Sequence, residues 1–181
     1  MYNYYLSDKD MSSACQAAVD EWEYWEEKNK KGIGGRYNHN SMVGCYVSKK
    51  SEWAVFGYLR WKLKGTSRRV YPEFKKKRHE SDIKVEEDHI EIKSLQNNQW
   101  NRYKRMVPPK QLTKYLEKNA IVVWTTTEGD DQDNCVKIYG WNHASDLEDK
   151  GIEVRTICDN IWLPNDSDMR TMDELIDILK V

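Results

Sequence analysis

The four cysteines of this chain, Cys15, Cys45, Cys135 and Cys158, are scattered and form no CxxC pair. Zinc ribbons and iron–sulfur clusters therefore lack their usual ligand spacing, and reduced thiols are the expectation. The four histidines, His39, His79, His89 and His143, form neither HxH nor HExxH, so a histidine metal site is not expected. The glycine cluster GIGG at 32–35 is not followed by a helix opening with Lys-Ser/Thr, which excludes a P-loop. No stretch approaches the roughly 18 apolar residues of a membrane span. The opening MYNYYLSDKD has neither the basic nor the apolar region of a secretory signal, so a cytoplasmic protein without membrane contact is expected. There is no internal repeat, no low-complexity tract and no linker, so the 181 residues are read as one domain, 1–181. Phenylalanine is scarce too: two Phe stand against eight Trp and eleven Tyr. Trp and Tyr pair large apolar bodies with a polar tip, which suits a core or a base-stacking surface.

Charge is plentiful but segregated. Residues 60–118 carry 17 Lys and Arg against 8 Asp and Glu, leaving 12 basic and 22 acidic residues in the rest of the chain. Either a polyanion-binding face lies on an acidic body, or this segment is simply a solvated basic surface. Within it, Arg68 and Arg69, and the run Lys75, Lys76, Lys77 and Arg78, are placed for phosphate-backbone contacts. Trp100, Arg102, Tyr103, Lys104 and Arg105 interleave aromatic and basic side chains, a pattern suited to unpaired bases.

Periodicity gives the element order α, α, β, β, β, α, β, β, α. Residues 7–30 read as a helix capped by Ser7 or Asp8. A second helix is expected from Ser51 to Gly65, with Val55, Leu59 and Leu63 as its apolar stripe. Strands are expected at 69–74, 81–85 and 89–95, the last two alternating apolar and charged residues. A proline-initiated helix follows at about 108–119. The β-branched AIVVWTTT then pairs with CVKIYGW across the turn EGDDQDN. Thr171 and Glu174 form a capping box ahead of a last helix. The economical architecture is α/β, with helices around a mixed sheet.

The segment SDIKVEEDHIEIKSL holds the chemistry. As a hairpin it must bury Ile83, Val85, Ile90 and Ile92 together, which forces Asp82, Lys84, Glu91 and Lys93 onto the other face. Both strands agree only if the connection has an even number of residues, Glu86-Glu87 or Glu86 to His89. Asp82 then lies across from Glu91 or Lys93, about 5 Å away. Two carboxylates beside an ammonium fit Mg²⁺ or Mn²⁺ and phosphodiester hydrolysis. The same residues would equally serve as weak surface ion pairs.

The wider order of residues resembles the PD-(D/E)XK nucleases: Glu52 on a helix, Asp82 on a strand, Glu91-Ile92-Lys93 on the next, then a helix and a strand. Gln111 and Tyr115, on one face of that helix, resemble the QxxxY motif of the RecB-type branch. The resemblance covers residues 50–141; Ser81 stands where the family's proline often precedes the aspartate, and the cysteines do not match an iron–sulfur cluster. It implies a restriction-endonuclease-like αβββαβ core at 51–142, with 1–50 a helical decoration and 143–181 a C-terminal extension. It further implies Asp82 and Glu91 as metal ligands, the Ile92 carbonyl as a third, and Lys93 as the catalytic lysine. Glu52 would complete the metal shell, directly or through water, or else serve as a first-turn acid of its helix. Gln111 and Tyr115 would position the scissile strand or the lysine, or simply lie on an exposed helix face. The expected function is a Mg²⁺- or Mn²⁺-dependent nuclease acting on DNA, with RNA not set aside, as an exonuclease or a single-strand or flap-processing enzyme. A structure-selective or sequence-specific endonuclease, a non-cleaving nucleic-acid-binding protein on the same fold and a protein-interaction domain docking an acidic partner are the alternatives.

Overall fold

The structure, a computed structural model, describes residues 1–31, 41–75, 81–156 and 158–181, with Lys75 described in its backbone alone. It is an α/β protein built on a six-stranded mixed sheet in the order β1-β7-β6-β4-β3-β2. These strands are β1 (Tyr2–Tyr5), β2 (Val70–Tyr71), β3 (Ile83–Val85), β4 (Asp88–Gln96), β6 (Ile121–Thr127) and β7 (Cys135–His143). Among the described residues only the β4–β6 pair is parallel, with Glu91 opposite Val122 and Lys93 opposite Trp124. All seven residues of β6 are buried, as its continuous β-branched run requires of a central strand.

Helices cover both faces. On one, α2 (Met42–Lys62) and α6 (Met172–Leu179) bury Val55, Leu59, Leu175 and Leu179 against Ile83, Val85, Ile90 and Val123. On the other, α4 (Pro109–Glu117) and α5 (Ala144–Lys150) bury Leu112, Tyr115 and Leu147 against Val122 and Trp124. The helix α1 (Asp8–Lys30) packs along α2 and is capped by Ser7, whose hydroxyl accepts from the Asp10 N–H at 3.2 Å. A short helix α3 (Trp100–Tyr103) follows β4, and β5 (Met106–Val107) joins β9 (Asp159–Trp162) and β8 (Ile152–Arg155) in a second sheet.

Two expected elements differ. The second helix starts not at Ser51 but at Met42, where the Ser41 hydroxyl accepts from the Gly44 N–H at 3.1 Å. Ser51 is a fully buried mid-helix residue, because Cys45 and Val47 extend the buried face upstream. The strand at 69–74 shortens to Val70–Tyr71, since Pro72 has no N–H for a ladder, and Glu73–Lys75 turn as a 3₁₀ helix. The ends of the chain are woven into the body. Strand β1 pairs antiparallel with β7, and α6 fills the main core. The capping box expected at Thr171 is present, with Glu174 accepting from the Thr171 N–H at 2.6 Å.

Strand β7 is tied to the segment before α6 by a backbone bridge between Trp141 and Arg170 and by the indole N–H of Trp141, which donates to the Thr171 carbonyl at 2.8 Å. This approach leaves no room beside Gly140, where a Cβ would stand 2.3 Å from the Arg170 carbonyl oxygen. Gly140→Ala is therefore expected to cost about 1–3 kcal/mol through overpacking. The check is the urea midpoint of unfolding, and an unchanged midpoint would refute the close approach.

Candidate active site

Strands β3 and β4 form the hairpin on which the site rests, with Ile83 opposite Ile90, Lys84 opposite His89 and Val85 opposite Asp88. The connection is the two-residue loop Glu86-Glu87, the shorter of the two even lengths the alternation allows. Glu86 takes a left-handed conformation there (φ 52°), and its carboxylate accepts from the Arg69 N–H at 2.8 Å. Continuing the register by one step sets Asp82 across from Glu91. The Asp82 carboxylate accepts from the Ile92 N–H at 2.7 Å, and its carbonyl accepts from the Phe74 N–H at 2.8 Å.

Alternation along β4 sends Ile90 to the α2 side and Glu91 and Lys93 to the α4 side. That face is not open surface. Helix α4 crosses it and supplies Gln111 and Tyr115, one turn apart. The Lys93 ammonium donates to the Gln111 side-chain carbonyl and lies 5.5 Å from the centre of the Tyr115 ring. Tyr115 is itself buried, and its hydroxyl lies within the field of the Glu91 charge. Just beyond the end of α4, the Lys118 ammonium reaches the Glu91 carboxylate at 3.2 Å. Sequence reasoning missed Lys118; its place one turn after Tyr115 and two after Gln111 (i+3 and i+7) was the available signal.

Glu52 lies in the middle of α2, eleven residues into the helix, so it cannot serve the helix N-terminus. Its buried carboxylate accepts from the Ser48 hydroxyl at 3.1 Å and the Lys49 ammonium at 3.0 Å. Lys49 also reaches Glu21 of α1 at 3.1 Å. Helix α1 thus supplies the far end of a partly buried charge chain, Glu21–Lys49–Glu52, in which only the Lys49–Glu52 step (i and i+3) is local in sequence.

Electrostatics joins these groups into one site. Burial raises the Glu91 carboxyl to about 7, the Asp82 charge adds to the shift, and Lys118 and Lys93 oppose it. Burial likewise raises Glu52 to about 8 against the pull of Lys49, with Asp82 again adding to the rise. Asp82 is therefore the charge that both glutamates feel. Burial lowers the Lys93 ammonium from its ordinary value, while Asp82 and Glu91 work to keep it charged. The Tyr115 hydroxyl is held far up by burial and by the Glu91 and Asp82 charges, so it remains a hydrogen-bond donor.

Two neighbouring carboxylates, one buried and one half-buried, that disfavour each other's ionisation are relieved by a divalent cation, and Mg²⁺ needs no more than one or two carboxylates with its remaining ligands as water. Asp82 and Glu91 meet that requirement. Among the described residues no three Asp, Glu, His or Cys side chains come together as a ready metal cage. Glu52, held by Ser48 and Lys49, stands behind the pair as a neighbour in charge.

The basic residues divide. Arg69 is exposed and Arg68 half-buried, both on the surface before β2. Lys76, Lys77 and Arg78 lie outside the described residues, as does the side chain of Lys75. Arg102 is exposed and lies over the Tyr103 ring at 5.1 Å. The three other members of that run are engaged within the fold. Trp100 stacks on Tyr139 of β7 at 3.8 Å with 16° between the rings, so its face is covered. Lys104 pairs with Asp166 at 2.8 Å. Arg105 has almost no exposed surface and clamps the chain after β9, which removes it from any nucleic-acid face. An interleaved basic and aromatic run looks the same whether its side chains face solvent or a second sheet; here the pairing of β5 with β9 turns Arg105 inward.

No helix among the described residues is long and apolar enough to cross a membrane. The chain matches no known family model, and neither a curated protein nor a solved structure matches it.

Proposed function

We propose that this chain is a metal-dependent nuclease of the PD-(D/E)XK type, with a restriction-endonuclease-like core, acting on the phosphodiester backbone of DNA. The observation that carries the reading is the convergence of Asp82, Glu91 and Lys93 with Gln111 and Tyr115 from α4 on one partly buried patch. The order α2, β2, β3, β4, α4, β6, with β4 parallel to β6, supports it as the αβββαβ succession of that family.

In this reading Asp82 and Glu91 hold Mg²⁺ or Mn²⁺ with the Ile92 carbonyl, and the bound ion would polarise the phosphate and acidify a coordinated water. The rest is work for the chain's own groups. Lys93 sits beside both carboxylates, where a buried ammonium stabilises charge growing on a phosphate oxygen far better than one in water. Gln111 and Tyr115 restrict where that ammonium can go: the amide carbonyl accepts from it and the ring flanks it. Lys118 holds Glu91 through Oε1 at 3.2 Å and would share that carboxylate with a bound cation. The QxxxY resemblance favours processing of ends, single strands or flaps.

The test is incubation of linear single-stranded, linear duplex and circular DNA with Mg²⁺, Mn²⁺ or EDTA. Loss of linear DNA with either metal, none in EDTA and sparing of circles is the expected result. A folded protein that binds DNA and RNA but cuts neither with any divalent metal would instead be a binding protein on this fold.

A further inference from the structure

A basic depression lies apart from the residues of the candidate active site. Where α2 ends, Arg60, Lys64, Arg68 and Arg69 line a depression of about 450 Å³ whose floor includes Phe56 and whose far wall includes Tyr71. Arg60, Lys64 and Arg69 are exposed and Arg68 is half-buried. Among the described residues none of the four side chains forms an ion pair with a carboxylate. The Glu86 carboxylate near them is engaged by the backbone N–H of Arg69. Four cations converging on one hollow repel one another, an arrangement that favours a polyanion.

Geometry ties this hollow to the site. Glu52, Phe56 and Arg60 follow one another at i, i+4 and i+8 on α2, so Arg60 lies about 12 Å along the helix from Glu52. The Arg60 guanidinium lies over the Phe56 ring at 5.4 Å, and Phe56 meets Phe74 edge-to-face at 6.0 Å. Phe74 in turn donates its N–H to the Asp82 carbonyl at 2.8 Å. Phe56 and Phe74 thus stand between the hollow and the strand that carries Asp82.

We propose that this hollow holds the phosphate backbone of the DNA strand being cut, on the stretch next to the bond held at Asp82 and Glu91. The proposal rests on the nuclease reading for its substrate but adds Arg60 and Lys64 as binding residues and gives the strand a direction across the protein, over the end of α2 and past β2. Phe56 forms a floor that gives the basic stems apolar support. DNA is favoured over an acidic protein because the cations adjoin a carboxylate pair suited to phosphodiester hydrolysis.

The test separates binding from cutting. A fluorescein-labelled single-stranded oligodeoxynucleotide is titrated with the full chain in EDTA, and anisotropy is followed over a series of salt concentrations. Arg60→Gln combined with Arg68→Gln is expected to weaken binding about tenfold or more. It should also flatten the dependence of log affinity on log salt by about 1.4, near 0.7 for each phosphate no longer neutralised. Lys9→Gln with Lys28→Gln, a charge-matched pair on α1, should change the slope far less. Should the first pair disturb folding, as judged by its melting curve, Lys64→Gln with Arg69→Gln carries the same expectation on exposed positions. Unchanged affinity and slope in these variants, or no oligonucleotide binding by wild type at low salt, overturns the proposal; so does binding of an acidic peptide in place of DNA. Cleavage by wild type with unchanged binding in the variants would leave the nuclease reading intact and reject this one. Weakened binding without cleavage by any form would reject the nuclease reading and leave the hollow a DNA-binding site alone.

Discussion

Lys93→Met should cut DNA about 10²- to 10⁴-fold more slowly than wild type while binding it within about threefold as well, the range over which one positioned charged group acts in a transition state. The substitution keeps the length and the apolar stem and deletes only the ammonium. That ammonium donates to Gln111, lies against the Tyr115 ring and is the positive neighbour of both Asp82 and Glu91. Removing a charge whose burial already works against it should disturb the fold little, so the loss would appear in the rate and not in the melting temperature. Lys93→Arg is not expected to rescue, because a planar fork cannot fill the place of a compact ammonium between an amide and a ring. Gln111→Leu, which leaves the ammonium but frees its position, should fall between the two, near tenfold. Single-turnover cleavage under saturating metal measures all three. Wild-type rates in Lys93→Met would remove Lys93 from the chemistry and leave the patch a structural ion cluster.

Arg105→Ala should be among the most destabilising single changes in the chain, by about 3 kcal/mol, since it strips charged donors from the buried Leu163 carbonyl and the half-buried Pro164 carbonyl. The Arg105 guanidinium donates to the Leu163 carbonyl at 2.9 Å, the Pro164 carbonyl at 2.9 Å and the Asp166 carboxylate at 2.5 Å. The Asp166 carboxylate is exposed and adds little in water, so the two carbonyls carry the cost. For a chain of this size a loss of that magnitude lowers the melting temperature by about 6–12 °C. Arg105 also has a left-handed backbone, φ 55°. An alanine keeps that strain and a glycine does not, so Arg105→Gly should be more stable than Arg105→Ala by about 1 kcal/mol. The salt dependence of DNA binding should be unchanged in the variant. A stable Arg105→Ala protein with weakened DNA binding would return Arg105 to the nucleic-acid face.

The hairpin carrying Asp82, Glu91 and Lys93 was legible because a period of two leaves only one way to bury Ile83, Val85 and Ile90 together, and that choice dictates the opposite face. The helix ends at Ser7 and Thr171 were legible for a similar reason: a hydroxyl capping free N–H groups is a local interaction. The start of α2 was not, because any serine can cap, and the burial that carries the helix back to Met42 comes from α1. Nor could the sequence reveal that α4 lies over Glu91 and Lys93, that Lys118 reaches Glu91, or that Lys49 joins Glu52 to Glu21. These interactions link residues on different elements, and only the packing of those elements brings them within a few ångströms. Arg105 makes the same point in the other direction. Its neighbours in sequence are polar and basic, and it is the pairing of β5 with β9, more than fifty residues away, that decides it is buried. Local alternation determined which chemistry faces which way along each strand. Long-range packing decided which of those side chains are enclosed together, and enclosure is what turns a set of surface charges into a site with shifted ionisation.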